Sequence, residues 1–91
     1  MKYKIVATKQ YRKALKKITH DKKLVQEIET VIGLLAFDSP LPKSYKDHRL
    51  VGNLKNFREL YVRPDFLLVY QKHEDMLVVI LVAMGSHGNL F

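Results

Sequence analysis

The sequence predicts an α+β domain, with two N-terminal helices covering one face of a mainly antiparallel four-stranded sheet in the order β-α-α-β-β-β. Three observations lead there. Apolar residues repeat at helical spacing between residues 9 and 36. Three strand-like runs follow residue 56, joined by turns so short that neighbours must be antiparallel. The last run, Leu77 to Met84, is apolar throughout, as expected of a central strand covered on both sides.

The elements follow in order. Lys2 and Lys4 alternate with Tyr3 and Ile5, the two-residue period of a short half-buried strand. Thr8 is placed to cap a helix over KQYRKALKKI. There Tyr11, Ala14, Leu15 and Ile18 fall at i, i+3, i+4 and i+7, on one face, with Lys9, Arg12, Lys13 and Lys16 on the other. Thr19 or Asp21 can cap a second helix, whose stripe is Leu24, Val25, Ile28, Val31, Ile32, Leu35 and Ala36. Gly33 within it costs about 1 kcal/mol against alanine, which suggests a close approach to a neighbour such as the first helix. Pro40 disfavours helical geometry at Ser39 and ends the element.

Residues 37–56 read as a long loop punctuated by Pro40, Pro42, Gly52, Asn53 and Asn56. Because it keeps Leu41, Tyr45, Leu50 and Leu54, the loop is expected to be ordered and functional. FRELYV and FLLVYQK form a hairpin across Arg63-Pro64-Asp65, and His73-Glu74-Asp75 turns into the last strand. With both helices on one face, the other is partly open as a groove.

Composition narrows the class. The 91 residues make one domain, 1–91, able to bury a core of its own. There is no cysteine, hence no disulfide and no thiolate metal site, compatible with a reducing compartment. No signal peptide is visible, and no apolar run approaches the ~20 residues of a membrane span. A cytoplasmic protein with no membrane partner is expected. The net charge is +7, and residues 1–45 hold 10 basic and 4 acidic residues against 6 and 5 in residues 46–91. Such an excess points to a polyanion, most often nucleic acid, with a solvated lysine-rich helix face as the plain alternative.

Two histidines stand out. His48 lies in YKDHRL of the long loop, and His87 in the terminal GSHGNLF; both border the open face. His20 and His73 read as solvated. Lys46, Arg49, Arg58 and Arg63 lie near the two in sequence. Histidine and arginine suit metal-free RNA cleavage, in which the 2′-OH attacks the adjacent phosphate. Imidazole serves as acid or base near neutral pH, and arginine clamps phosphate with two hydrogen bonds. Tyr45, Tyr61, Phe66 and Phe91 could stack on unpaired bases or simply pack in the core. Arg58 either holds the scissile phosphate or pairs with Glu59, Asp65 or another acid. No P-loop, metal-ligand spacing or nucleophile elbow is present, so no cofactor or metal is expected. The tail has its own logic. Leu90 and Phe91 argue against disorder, and Gly85 and Gly88 argue against a helix while letting the chain turn His87 back over the sheet.

These residues carry a family resemblance. YKDHRLVGNLKNFRELYVRPDFLLVYQK followed by GSHGNLF resembles the YafQ-like toxins of bacterial toxin–antitoxin pairs, in the RelE/ParE superfamily. The shared pattern is Lys-Asp-His-x-Leu-x-Gly, an aromatic-Arg-acid, Pro-Asp, Leu-(Ile/Val)-Tyr and a final Gly-(Ser/Thr)-His-x-x-Leu-Phe. It spans about half the chain in ordered blocks. The resemblance implies a RelE-like fold with a twisted sheet, and an endoribonuclease that cuts mRNA in the ribosomal A site and is suppressed by a cognate antitoxin. It implies catalytic roles at His48, Asp65 and His87, with His87 protonating the leaving oxygen and His48 or Asp65 taking the 2′-OH proton. It places Phe66 and Phe91 near the substrate. Lys46, Arg58 and Tyr61 complete the expected substrate contacts, and Lys9, Arg12, Lys13 and Lys16 the expected grip on ribosomal RNA. Tyr61 departs from relatives that carry histidine there; its reference pKa of about 10 makes it a poor base.

Two other functions share these features: a non-catalytic ParE-like inhibitor of DNA gyrase, and a basic RNA-binding module. Nothing resembles a coiled-coil seam, so the isolated chain is expected to be monomeric.

Overall fold

In a computed structural model describing residues 1–54 and 56–91, both helices form where the apolar spacing predicts them. Helix α1 spans Lys9–Ile18, and the Thr8 hydroxyl oxygen accepts the Tyr11 N–H at 3.1 Å. The same hydroxyl donates to the Val82 carbonyl at 2.6 Å, tying the helix start to the last strand. Helix α2 spans Lys22–Ala36, and Asp21 caps it by accepting the Leu24 N–H at 3.0 Å. It stops short of Ser39-Pro40 because Asp38 takes a left-handed conformation, φ 53°, which closes the last turn. Asp38 is held there by Lys2 at 2.8 Å and Lys72 at 2.7 Å. The close approach expected at Gly33 is absent: a Cβ added there would meet nothing within 4 Å.

Among the described residues the sheet has five strands, not the expected four: β1 Lys4–Ala7, β2 His48–Arg49, β3 Arg58–Arg63, β4 Phe66–His73 and β5 Val78–Gly85. The additional strand, β2, lies inside the predicted loop, where His48 pairs with Glu59 and Arg49 with Arg58. Two exposed polar residues carry no periodic signal, so only the partner strand defines them. Lys55, in the same loop, lies outside the described residues. The spatial order is β1-β5-β4-β3-β2, with β1 parallel to β5 and the other neighbours antiparallel. Apolar β5 is therefore interior, as its composition predicts.

Tyr3, Tyr11, Leu24, Ile28, Val31 and Leu35 form the core with Leu60, Val62, Leu68, Tyr70, Val79, Leu81 and Met84. Strand alternation fixes the two faces. Arg58, Leu60, Leu68 and Tyr70 point toward the helices, and Glu59, Tyr61, Leu67 and Val69 point away. A bulge opposite Val69 and Tyr70 gives β5 one extra residue, so Ala83 and Gly85 share the face of Glu59 while Met84 joins the core.

The tail is helical after all. Ser86 caps a single turn, α3 His87–Leu90, its hydroxyl oxygen accepting the Asn89 N–H at 3.3 Å. One capped turn is too short for Gly88 to break it, and no unusual backbone angle requires glycine there. Gly85, φ 158°, does make the turn, and a Cβ on it would touch Asn89 and Leu90 at 3.6 Å. Thus α3 folds back over the face of Glu59. No helix among the described residues is long and apolar enough to cross a membrane.

Candidate active site

Register lays out the face away from the helices in rows. One row is His48, Glu59, Val69 and Ala83; the next is Tyr61, Leu67 and Gly85, with α3 beyond it. The Lys46 ammonium lies 5.7 Å from the centre of the Tyr61 ring, so it belongs to the second row. Lys46 is left-handed, φ 52°, where a short turn over Lys43–Tyr45 ends and redirects the chain into β2.

That turn sets up His48. Its Nδ1 is 2.6 Å from the Lys46 carbonyl oxygen and its Nε2 is 3.1 Å from Glu59 Oε1. The Lys46 carbonyl can only accept, so Nδ1 carries the hydrogen of that contact and Nε2 is the nitrogen turned to the Glu59 carboxyl. Glu59 is the one buried charged residue among those described, 5% exposed, and its Oε2 has no hydrogen-bond partner. A buried carboxylate with an oxygen unmatched by a donor is costly to keep, which makes Glu59 a residue to account for.

The residue before His48 faces the other way. Asp47 Oδ2 accepts from Arg58 at 2.7 Å, and Oδ1 accepts from the Tyr70 hydroxyl. Tyr70 is buried, and that burial, with the Asp47 carboxylate beside it, pushes its phenol well above the usual range. The Asp47 carboxylate likewise raises the Arg58 guanidinium. Asp47, Arg58 and Tyr70 line a cavity of about 600 Å³ between the end of α2 and β2–β4.

The expected site residues therefore divide. Lys46, His48 and Tyr61 gather on the open face, with Glu59 between them. His87 and Phe91 sit together on α3 and just past it, ring centres 5.3 Å apart and planes 42° apart. Asp65 is exposed in the β3–β4 turn, at the end of the sheet where β5 gives way to α3. Arg58 lies on the opposite face, paired with Asp47. Phe66 is half-buried and packs on the core, and Arg63 is bound to Glu27 at 2.5 Å and Asp21 at 3.1 Å. The Leu24 amide and then Arg63 hold the Asp21 carboxyl below its usual range. Lys9, Lys13 and Lys16 line the exposed side of α1, where Arg12 donates to the Ala7 carbonyl at 2.7 Å. Sequence reasoning missed Glu59 and Asp47. The available signals were an acid inside a strand, one residue from the face of Leu60, and an acid fixed next to His48.

Solved toxins share this sheet with two helices on one face, which places the chain among the small α+β toxins of bacterial toxin–antitoxin modules. A metal-bound toxin from Helicobacter pylori shares the fold at a TM-score of 0.89 and 40% identity, over 98% of this chain and 99% of that one. The Escherichia coli DinJ-YafQ complex matches at a TM-score of 0.86 and 29% identity, over 98% of both chains. Within that class the chain belongs to the YafQ family, bacterial toxins of type II toxin–antitoxin systems, whose family model matches residues 3–91. The mRNA interferase toxin YafQ of Escherichia coli K12 is 34% identical over 83 residues, 90% of this chain and 88% of that protein. Among the described residues no group of three or more His, Asp or Glu side chains converges to hold a metal ion.

Proposed function

We propose that this chain is a cytoplasmic endoribonuclease of RelE-like fold, which cuts mRNA in the ribosomal A site and is neutralised by a cognate antitoxin. The observation that carries this reading is His48, held between the Lys46 carbonyl and the buried Glu59 carboxylate, on the face that α3 overhangs with His87 and Phe91. The name of the Escherichia coli relative, an mRNA interferase, supports the substrate, and the DinJ-YafQ complex supports the antitoxin.

In the reaction, O2′ attacks the neighbouring phosphorus, the P–O5′ bond breaks, and a 2′,3′-cyclic phosphate and a 5′-hydroxyl result. Both ring nitrogens are engaged, by the Lys46 carbonyl and by Glu59, so His48 borders the phosphate without taking the O2′ proton. The exposed carboxylate of Asp65 takes the O2′ proton. His87 gives a proton to O5′ as the bond breaks. Lys46 adds positive charge, Tyr61 and Phe91 offer faces to unpaired bases, and the exposed lysines of α1 lie against ribosomal RNA. Arg58 is paired with Asp47 on the far face, and Phe66 is half-buried against the core beside the Asp65 turn.

Incubating the protein with mRNA-programmed ribosomes and mapping the new RNA ends tests this. Cleavage with a 2′,3′-cyclic phosphate, lost in His87→Ala and in Asp65→Asn, is the expected result. Growth inhibition without any cleavage overturns it in favour of a gyrase-type inhibitor.

A further inference from the structure

We propose that Asp47, clamped by Tyr70 and Arg58 through the sheet from its helix-covered face, is the positioning residue that presents His48 to the substrate. The inference rests on the nuclease reading above for its kinetic consequence, though its geometry stands apart from it.

Consider what fixes His48. Strand β2 is two residues long, exposed, and sits at the sheet edge, so its own ladder bonds hold it weakly. Before it runs a left-handed residue, Lys46, whose carbonyl is one of the two anchors of the His48 ring. That anchor is useful only if the Lys46–Asp47 peptide is itself immobile. Asp47 supplies the immobility. Its two carboxylate oxygens are divided between two donors on two different strands, Arg58 on β3 and Tyr70 on β4. Tyr70 is 1% exposed and packed in the core, so the clamp is rooted in the most rigid part of the molecule.

Successive residues of an extended chain point to opposite faces. Locking the Asp47 side chain toward the helices therefore sends His48 to the other side, against Glu59. The loop is held at one residue so that the next is aimed. A site that must be placed to within a fraction of an ångström gains rate from such a second contact, and a misplacement of about 1 Å can cost up to ~10²-fold. Tyr70 is buried on the face opposite His48, so removing its hydroxyl should leave substrate affinity alone.

The test uses the full chain with Tyr70→Phe, which removes only the hydroxyl, with Asp47→Ala, and with Asp47→Asn as the conservative variant. Two signals are read: the ¹⁵N resonances of the His48 imidazole, and kcat and KM for cleavage on mRNA-programmed ribosomes. The expected result is a displaced or broadened His48 signal in Tyr70→Phe and Asp47→Ala. A fall in kcat of about tenfold for the first and up to ~10²-fold for the second accompanies it, with KM unchanged and partial recovery in Asp47→Asn. An unmoved His48 signal in both variants overturns the proposal, and so does a moved signal with unchanged kcat. If wild-type protein does not cleave RNA, the nuclease reading fails instead, and the ring resonances alone decide the clamp.

Discussion

The two faces of the sheet handle charge in opposite ways. Toward the helices, Arg58 meets Asp47, Arg63 meets Glu27 and Asp21, and Lys72 meets Asp38, each cation matched by carboxylate. On the other face the matching is left incomplete. Glu59 turns one oxygen to His48 and has no donor for the second among the described residues, Lys46 rests over a ring, and His87 lies tilted against Phe91. Cations already neutralised serve the fold; cations with capacity to spare can meet a phosphate. A basic chain thus tells little until its partners are known.

The largest effect expected from breaking this contrast is at His87. His87→Ala should lower cleavage ~10²–10⁴-fold while leaving the urea midpoint of unfolding unchanged, because the side chain is exposed. Leu60→Ala, on the helix-covered face and fully buried, should do the reverse. It should cost about 2–5 kcal/mol in urea unfolding, with specific activity of the folded fraction retained. Glu59→Gln sharpens the comparison, since it relieves a buried charge with an idle oxygen. Its urea midpoint should hold or rise while cleavage falls; a lower midpoint with full activity would make Glu59 a scaffold residue.

Smaller effects follow. Hydrogen bonds from Lys2 and then Lys72 lower the Asp38 carboxyl to about 2. A depressed carboxyl stabilises fully above its unfolded value, ~3.9, and loses that contribution as pH falls through its folded value. The wild type should therefore exceed Asp38→Asn in urea midpoint at pH 5, with the gap closing toward pH 2. Smallest is Gly33→Ala, where the open space around the missing Cβ should give a gain of about 0.5–1 kcal/mol in the same assay.

How far the sequence could be read depended on whether a feature was periodic or paired. Both helices, their caps at Thr8 and Asp21, and the run of β3, β4 and β5 rest on repeated spacing within a few residues, and spacing is visible in one dimension. Strand β2 was invisible because two residues become a strand only when Glu59 and Arg58 lie alongside. The faces of Arg58 and Glu59 illustrate the same limit. They are adjacent in FRELYV, yet the pleat sends one to Asp47 and the other to His48, a division that needs the register of three strands. His48 and His87 were legible through the family motifs; Asp47 and Glu59 stand in the same motifs, but their parts in aiming and holding His48 needed the register. The tail misled because its glycines outweighed a serine cap that a single turn is enough to use.

The parallel pairing of β1 with β5 bears on the order in which the molecule is made. Lys4 is registered with Val78 and Ala7 with Leu81, and among the described residues β1 has no other strand beside it. The first strand synthesised must wait for the last, and so must the contact that seats Thr8 on Val82. Contacts so distant along the chain close late and slow folding. The sheet, and with it the support beneath α3, is complete only once β5 has joined β1 to β4. A chain cut before β5 would keep His48 but lose both the partner of β1 and the support of α3, so the two histidines share a face only in the closed sheet.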